Sequence, residues 1–134
     1  MSVIYVLDHD TMACKALQQA LPSLQFRFFD TLTALQQALT ETPQRRGFVR
    51  GFLCNLPQEK ANDYAFARWL KQSAFKDVPL IWLTPRLSWE ELESSLLEGG
   101  KDCVFKPFLP GVLQRFASRN FDSIHFQSTA LTAC

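Results

Sequence analysis

Two short apolar runs constrain the fold of this chain more than any other feature. They are VIYVL (residues 3–7) and VPLIWLT (residues 78–84), both of strand length. Neither run alternates cleanly between apolar and polar residues, which indicates strands covered by helices on both faces. Segments with helical spacing lie between and after these runs. The chain is therefore expected to form a parallel sheet wrapped by helices, with right-handed crossovers.

The remaining elements complete a βα unit repeated five times. Three further strands are predicted at residues 25–29, 48–54 and 103–105. Five helices are predicted: a first one capped by Asp10 or Thr11 and stopped by Pro22, a second from Asp30 or Thr31 to Pro43, a third over 63–73, a fourth from Ser88 to Gly99-Gly100, and a fifth over 111–121. Ser88 and Glu91 have capping-box spacing. Arg50 fits poorly in a central strand, so the register there is open.

Length and charge limit the domain count and the classes of partner. The chain has 134 residues, which predicts one domain over 1–121 followed by a tail or linker over 122–134. Its net charge of +1 gives no electrostatic footprint for direct nucleic-acid binding. The apolar runs are too short to span a membrane, and the N-terminus lacks a signal-peptide pattern.

The four cysteines are widely spaced and form no CxxC motif. Because few histidines could join them, no metal site is expected, and reduced thiols in a cytoplasmic protein are the default. Cys54 and Cys103 are interpreted as small core residues.

Three predicted strand ends carry polar residues in a recognisable order. The first is VLDHD (residues 6–10), the second is Leu83-Thr84, and the third is VFKPF (residues 104–108). On these motifs and their spacing, residues 2–119 resemble the receiver domain of bacterial response regulators. The resemblance implies a CheY-like, doubly wound sheet with strand order 2-1-3-4-5. It also implies a cis peptide before Pro107.

In a working receiver, acidic residues after strand one hold Mg²⁺, and an aspartate ending strand three accepts the phosphoryl group. A Lys such as Lys106 balances the charge, and a Thr such as Thr84 bonds the phosphoryl group. An aromatic residue in strand five follows that movement.

The chain departs from this pattern in four places. The stretch from Gln44 to Gln58 contains no Asp or Glu, so the acceptor position falls on Leu53, or on Phe52 by another alignment. His9 replaces the second carboxylate after strand one. The Asp-Gly turn after strand three is absent, and QEKANDY stands there. Cys103 replaces the aromatic residue of strand five.

These losses predict a pseudo-receiver that binds no metal or cofactor and is not an enzyme. Asp8 is expected to pair with Lys106, Asp10 to cap the first helix, His9 to be solvated or to cap a helix, and the Thr84 hydroxyl to bond the backbone. One alternative is a receiver with an unusual acceptor, such as Asp8, Asp10, or a nearby Ser or Cys. A flavodoxin-like carrier is a further alternative, although DHDTMAC lacks the glycine of a phosphate-binding loop.

Without phosphorylation, function is expected to depend on protein contacts. The family uses the face made by the fourth helix, fifth strand and fifth helix for dimers and partners. Candidate residues for a homodimer or for contact with an output domain are Trp89, Leu92, Leu96, Cys103 and Phe105, together with residues 111–116. Leu92 and Leu96 are equally compatible with a core position.

Overall fold

Five parallel strands form one sheet in the order β2-β1-β3-β4-β5 in the computed structural model, which describes residues 3–41, 48–85 and 88–121. The strands are β1 (Val3–Leu7), β2 (Gln25–Phe29), β3 (Val49–Asn55), β4 (Leu80–Thr84) and β5 (Asp102–Phe105). The helices are α1 (Thr11–Ala20), α2 (Leu32–Thr40), α3 (Leu56–Ala61), α4 (Ala65–Lys71), α5 (Trp89–Leu97) and α6 (Pro110–Asn120). The predicted doubly wound α/β fold and its strand order are confirmed.

The sheet separates two apolar layers. One layer joins alternate strand residues such as Phe52 and Trp82 to apolar residues of α2, α3 and α4. The other joins Leu53 and Ile81 to apolar residues of α1 and α6. Burial on both faces explains why the central strands read as continuous apolar runs.

Side-chain caps fix where three helices begin. Asp10 accepts hydrogen bonds from the amides of Met12 and Ala13 at the start of α1. Thr31 caps α2 through the amide of Ala34. Ser88 and Glu91 form the predicted capping box of α5. These caps satisfy amides that have no partner within a helix.

The region after β3 differs from the prediction. The strand extends to Asn55, and an additional helix, α3, begins at Leu56. Pro57 is tolerated there because the first turn of a helix does not need its amide hydrogen. The predicted third helix is shorter at both ends and appears as α4. Arg50 lies at a register shift between β1 and β3, where Val3 pairs with Val49 and Ile4 with Gly51. Arg50 is the extra residue at this irregularity, which explains how an arginine fits into a central strand.

Several predictions concern residues outside the described ranges. These are the tail over 122–134, the end of the second helix at Pro43, and residues 44–47 of the stretch without Asp or Glu. None of the described helices combines the length and apolar character that a membrane-spanning helix requires.

Trp82 connects β4 to α5. Its side chain is fully buried, and its Nε1 donates a hydrogen bond of 2.8 Å to the carbonyl oxygen of Ser95. A Cβ atom on Gly100 would overlap the Trp82 indole. Gly100 therefore permits the close approach that holds α5 against the sheet.

We expect Gly100→Ala to lower the free energy of unfolding by about 1–3 kcal/mol, because the added methyl group overpacks the Trp82 site. Chemical denaturation monitored by circular dichroism measures the change. Gly111→Ala is the matched control, since a Cβ at this α6 position would have no neighbour within 4 Å among the described residues. The control should be neutral or slightly stabilising; equal losses in both variants would contradict the role of Gly100.

Candidate functional site

Polar side chains collect at one edge of the sheet, where the parallel strands end. Asp8 follows β1, Asn55 ends β3, Thr84 ends β4 and Lys106 follows β5. The carboxyl ends of parallel strands share an edge, and ligand sites of doubly wound sheets form there. This edge is the candidate site, and we refer to these four residues as the edge pocket.

An ion pair between Asp8 and Lys106 closes the edge pocket. The Lys106 Nζ lies 2.6 Å from Asp8 Oδ2, and the two side chains are 16% and 0% exposed. Asp8 Oδ1 accepts a hydrogen bond of 2.9 Å from the amide of Asp10. The amide of Lys106 donates to the Thr84 carbonyl oxygen at 2.7 Å, which fixes the lysine at the strand ends. The predicted pairing of Asp8 with Lys106 is confirmed.

Asp10 caps α1 and also faces the lysine. Its Oδ2 lies 3.6 Å from Lys106 Nζ. Its pKa is lowered, chiefly because the amide of Ala13 donates to the carboxylate, and Lys106 adds to that effect. The carboxylate therefore remains ionised, and Lys106 faces two negative charges.

Asn55 is the residue of β3 that reaches the edge. Leu7 pairs with Cys54 across β1 and β3, so Asp8 and Asn55, each one residue further on, are level. Adjacent strands lie roughly 5 Å apart. Asn55 is 6% exposed, and its Oδ1 has no hydrogen-bond partner within the described residues. A neutral amide therefore stands beside the ion pair.

Leu53 does not line the pocket, so its assignment to the site is wrong. It lies two residues before the end of β3 and packs in the layer with Val6 and Ile81. Phe52 is also a core residue, on the opposite face. The alignment that gave Leu53 misplaced the site because α3 starts directly after the strand. A usable signal was that Asn55, like Asp8, is the first polar residue after an apolar run.

The Thr84 hydroxyl differs from its prediction. Its Oγ1 is buried and, in the part of the chain that the structure describes, makes no hydrogen bond to backbone or side chain. At this strand end the Lys106 amide donates to the Thr84 carbonyl oxygen, and the hydroxyl takes no part in that contact. Thr84 therefore adds an unpaired hydroxyl to the pocket that already holds the unpaired Asn55 oxygen.

Two other predicted features lie at the same edge. His9 is exposed to solvent. The Lys106-Pro107 peptide bond is cis, as expected. Among the described residues, no cluster of three or more His, Cys, Asp or Glu side chains could hold a metal ion.

A groove of about 490 Å³ opens beside the ion pair. Its walls come from α1 and from the segments that follow β4 and β5; they consist of Asp10, Met12, Ala13, Ala16, Pro85, Lys106, Pro107 and Phe108. Most of these side chains are apolar. The charged residues of the lining are Asp10 and Lys106.

Glu59, on α3, was not identified from the sequence. It is fully buried, and its Oε2 accepts hydrogen bonds from the amides of Phe66 and Ala67 at 2.9 and 3.2 Å. Burial raises its pKa, although these two hydrogen bonds act in the opposite direction. In sequence, Glu59 belongs to a polar stretch, EKAND, that gives no indication of burial.

The candidate partner face consists of apolar residues on α5, β5 and the start of α6. Trp89 is 85% exposed, Leu96 40% and Phe105 45%, whereas Leu92 and Cys103 are partly buried. Leu97, Leu109 and Val112, which the sequence did not single out from neighbouring residues, are also exposed. We call Trp89, Leu96, Leu97, Phe105, Leu109 and Val112 the α5–β5–α6 face. Burial raises the pKa of the Cys103 thiol to about 11.

Comparisons with known proteins show what this fold resembles. No protein-family model matches the chain, and no curated protein matches it. A response regulator receiver protein from Burkholderia phymatum superposes with a TM-score of 0.74 at 20% identity, over 90% of this chain and 95% of that one. A putative response regulator from Chloroflexus aurantiacus gives 0.75 at 16%, over 90% and 97%. The response regulator DrrB from Thermotoga maritima gives 0.69 at 22%, over 88% of this chain and 52% of the other. The fold is therefore that of CheY-like receiver domains.

We expect Lys106→Met to lower the free energy of unfolding by about 3 kcal/mol, because Asp8 would remain buried without its counter-ion. The double variant Asp8→Asn/Lys106→Met should lose clearly less, since both charges are gone. Urea denaturation of the two variants gives the comparison. Lys60→Met is the control: its pair with Glu91 is exposed and should contribute less than about 1 kcal/mol. A double variant that lost as much stability as Lys106→Met, or more, would contradict the coupling.

Proposed function

We propose that this chain is a degenerate receiver domain, a regulatory binding module of a two-component-type signalling protein that does not accept a phosphoryl group. It acts through protein contacts, either as a homodimer or by controlling an output domain. The observation that carries the proposal is the amide of Asn55 at the end of β3, level with Asp8. In the receivers that the fold resembles, this strand end supplies the acceptor carboxylate.

An amide cannot replace that carboxylate. Phosphoryl transfer to a receiver needs an ionised oxygen as the nucleophile, which forms an acyl phosphate. The carbonyl oxygen of Asn55 carries no charge and shares its lone pairs with the amide nitrogen. The residue therefore retains the size of an aspartate and lacks its reactivity.

The remaining groups also disfavour phosphate chemistry. A Mg²⁺ ion prefers several oxygen ligands in octahedral geometry. Asp8 is engaged by Lys106 at 2.6 Å, and His9 is exposed. Because Asn55 is neutral, a Mg²⁺ ion would lack one carboxylate ligand at this position. It would also compete with the Lys106 ammonium group for the carboxylate of Asp8. In receivers this lysine balances the negative charge of an incoming phosphoryl group. Here the charge of Lys106 is already balanced by Asp8.

The packing of α5 favours an α5–β5–α6 face that is open to partners without a phosphorylation step. Trp82 holds the helix through the carbonyl oxygen of Ser95. By the resemblance to receivers, the small thiol of Cys103 corresponds to the aromatic residue that moves in that family. Any switching must then come from a partner that binds one conformation better than another.

The α5–β5–α6 face is suited to a second copy of the chain. It exposes several large apolar side chains, with Trp89 as the most exposed. Exposed Glu90 and Glu93 lie on α5, and exposed Arg115 lies on α6. A twofold axis along β5 would place α5 of one copy against α6 of the other, so that these opposite charges face each other. An output domain is the other candidate occupant.

The proposal also has consequences for the activity, the ligands and the location of the domain. The domain would not be an enzyme, would need no cofactor and would not bind nucleic acid directly, in keeping with its small net charge. The free thiols of Cys14, Cys54 and Cys103 fit a reducing compartment such as the cytoplasm.

Treatment with acetyl phosphate and Mg²⁺ should leave the intact mass of the protein unchanged. Phosphorylation of the wild-type chain would overturn the proposal. Phosphorylation at Asp8 or Asp10, both close to Lys106, would establish instead a receiver with an unusual acceptor. Peptide mapping after the reaction separates the two carboxylates.

The double variant His9→Asp/Asn55→Asp should gain the mass of one phosphoryl group in the same assay, because it restores both missing carboxylates beside Thr84 and Lys106. Beryllofluoride titration monitored by NMR gives an independent measure. His9→Asp alone is the matched control and should remain unmodified. If neither variant reacted while both remained folded, the assignment of Asn55 to the acceptor position would be wrong.

Trp89→Ala should weaken self-association by about tenfold or more, because a large exposed aromatic side chain is the type of residue that dominates interfaces. Light scattering over a concentration series measures the change. Met12→Ala removes an equally exposed apolar side chain from α1 and should have no effect. A monomeric wild-type protein would exclude the homodimer and leave the output domain as the occupant.

A further inference from the structure

Glu59 is a buried carboxylate with a specific structural task. It is fully buried on α3, and its Oε2 accepts hydrogen bonds from the first amides of α4, those of Phe66 and Ala67. Its Oε1 is also buried and has no partner among the described residues. An ionised group held in this way keeps only part of the stabilisation that water would give it.

The junction between α3 and α4 is strained as well as charged. Asp63 and Tyr64 have φ angles of 58° and 56°, although neither is a glycine. Left-handed backbone costs about 1 kcal/mol or more for such residues, and it persists only where surrounding contacts enforce it. Here the amide of Tyr64 donates to the carbonyl oxygen of Glu59 at 2.7 Å. Glu59 thus holds the junction with both its backbone and its side chain.

The junction is connected to α5 by two routes. The Tyr64 ring packs edge-on against Trp82 with 5.9 Å between ring centroids, and Trp82 bonds the carbonyl oxygen of Ser95. On the surface, Lys60 of α3 lies 2.7 Å from Glu91 of α5. A movement of the junction would therefore reach the helix that carries Trp89.

We propose that the α3–α4 junction is a conformational latch: when it opens, Glu59 becomes hydrated, the left-handed turn relaxes, and Tyr64 releases Trp82 and α5. The latch uses none of the edge-pocket residues. It is therefore independent of whether the chain accepts a phosphoryl group.

The charged groups around Glu59 define what its titration should do. From β3, the buried Cys54 thiol faces it, with a pKa raised well above the ordinary value by burial. β4 carries no ionisable side chain, Lys60 pairs with Glu91, and Arg68 of α4 pairs at the surface with Asp63 and Glu98.

The sign of the pH dependence follows from burial. Desolvation raises the pKa of Glu59 in the closed latch, whereas in the open latch the carboxyl is hydrated and returns toward its ordinary value of 4.5. The closed state therefore binds the proton more tightly. Opening should become more frequent as the pH rises above about 4.5, and should level off once Glu59 is ionised in the closed state.

Amide hydrogen exchange at Phe66 and Ala67, followed by NMR and corrected for the intrinsic exchange rate, tests the latch. Glu59→Gln should slow exchange, by about tenfold for each unit by which burial raises the pKa, and should remove its pH dependence. Glu59→Ala should accelerate exchange roughly fivefold or more at neutral pH, because two amides lose their acceptor. Asp63→Asn is the matched control, since it removes an exposed charge from the same junction and tolerates the same backbone.

The readout at α5 is the ¹⁹F signal of fluorotryptophan at position 82. It should shift in Glu59→Ala and remain at the wild-type position in Asp63→Asn. The latch would be overturned if the Gln and Ala variants changed exchange in the same direction, or if Asp63→Asn reproduced Glu59→Gln. An unchanged Trp82 signal in Glu59→Ala, with accelerated exchange, would overturn the connection to α5.

Discussion

Burial of the central sheet on both faces is the constraint on which the other features of this protein depend. The residues of β1, β3 and β4 pack into two apolar layers, where a charged side chain would have a large desolvation cost; Arg50, at the register shift, is the one charged residue in these three strands. Polar groups of the sheet core consequently appear where the strands end. Because all five strands are parallel, these ends meet at one edge and bring Asp8, Asn55, Thr84 and Lys106 together.

The edge pocket shows how one neutral residue alters the balance of a charged site. In a pocket with two carboxylates, a lysine and a divalent cation can both be accommodated. Here Asn55 is neutral, Asp8 pairs with Lys106, and the buried oxygens of Asn55 and Thr84 have no hydrogen-bond partner within the described residues. In the function that we propose, a lost acceptor and a paired lysine would be two aspects of the same change.

Glu59 is a second buried polar group. It lies on α3, which packs against the layer that contains Phe52 and Trp82. Cys54 and Glu59 are close enough for the carboxylate to help raise the pKa of the thiol. The turn between α3 and α4 uses Asp63 and Tyr64 in left-handed conformations, stabilised by Glu59, where glycine would be the usual residue. The aromatic contact from Tyr64 to Trp82 then couples this unusual turn to α5. The latch that we propose would place conformational control outside the edge pocket.

The sequence by itself determined the fold class, the strand order implied by its resemblance, the caps at Asp10 and Ser88, and the pairing of Asp8 with Lys106. The strand order came from the family resemblance, and the other features depend on local periodicity and on charges adjacent to strand ends. Only the tertiary structure placed Asn55 rather than Leu53 at the strand end, left the Thr84 hydroxyl without a partner among the described residues and buried Glu59. Register across neighbouring strands decides which residue reaches the edge, and the packing of α3 against the sheet decides which polar group is buried. Neither relation can be counted along a single chain, since both depend on residues far apart in sequence.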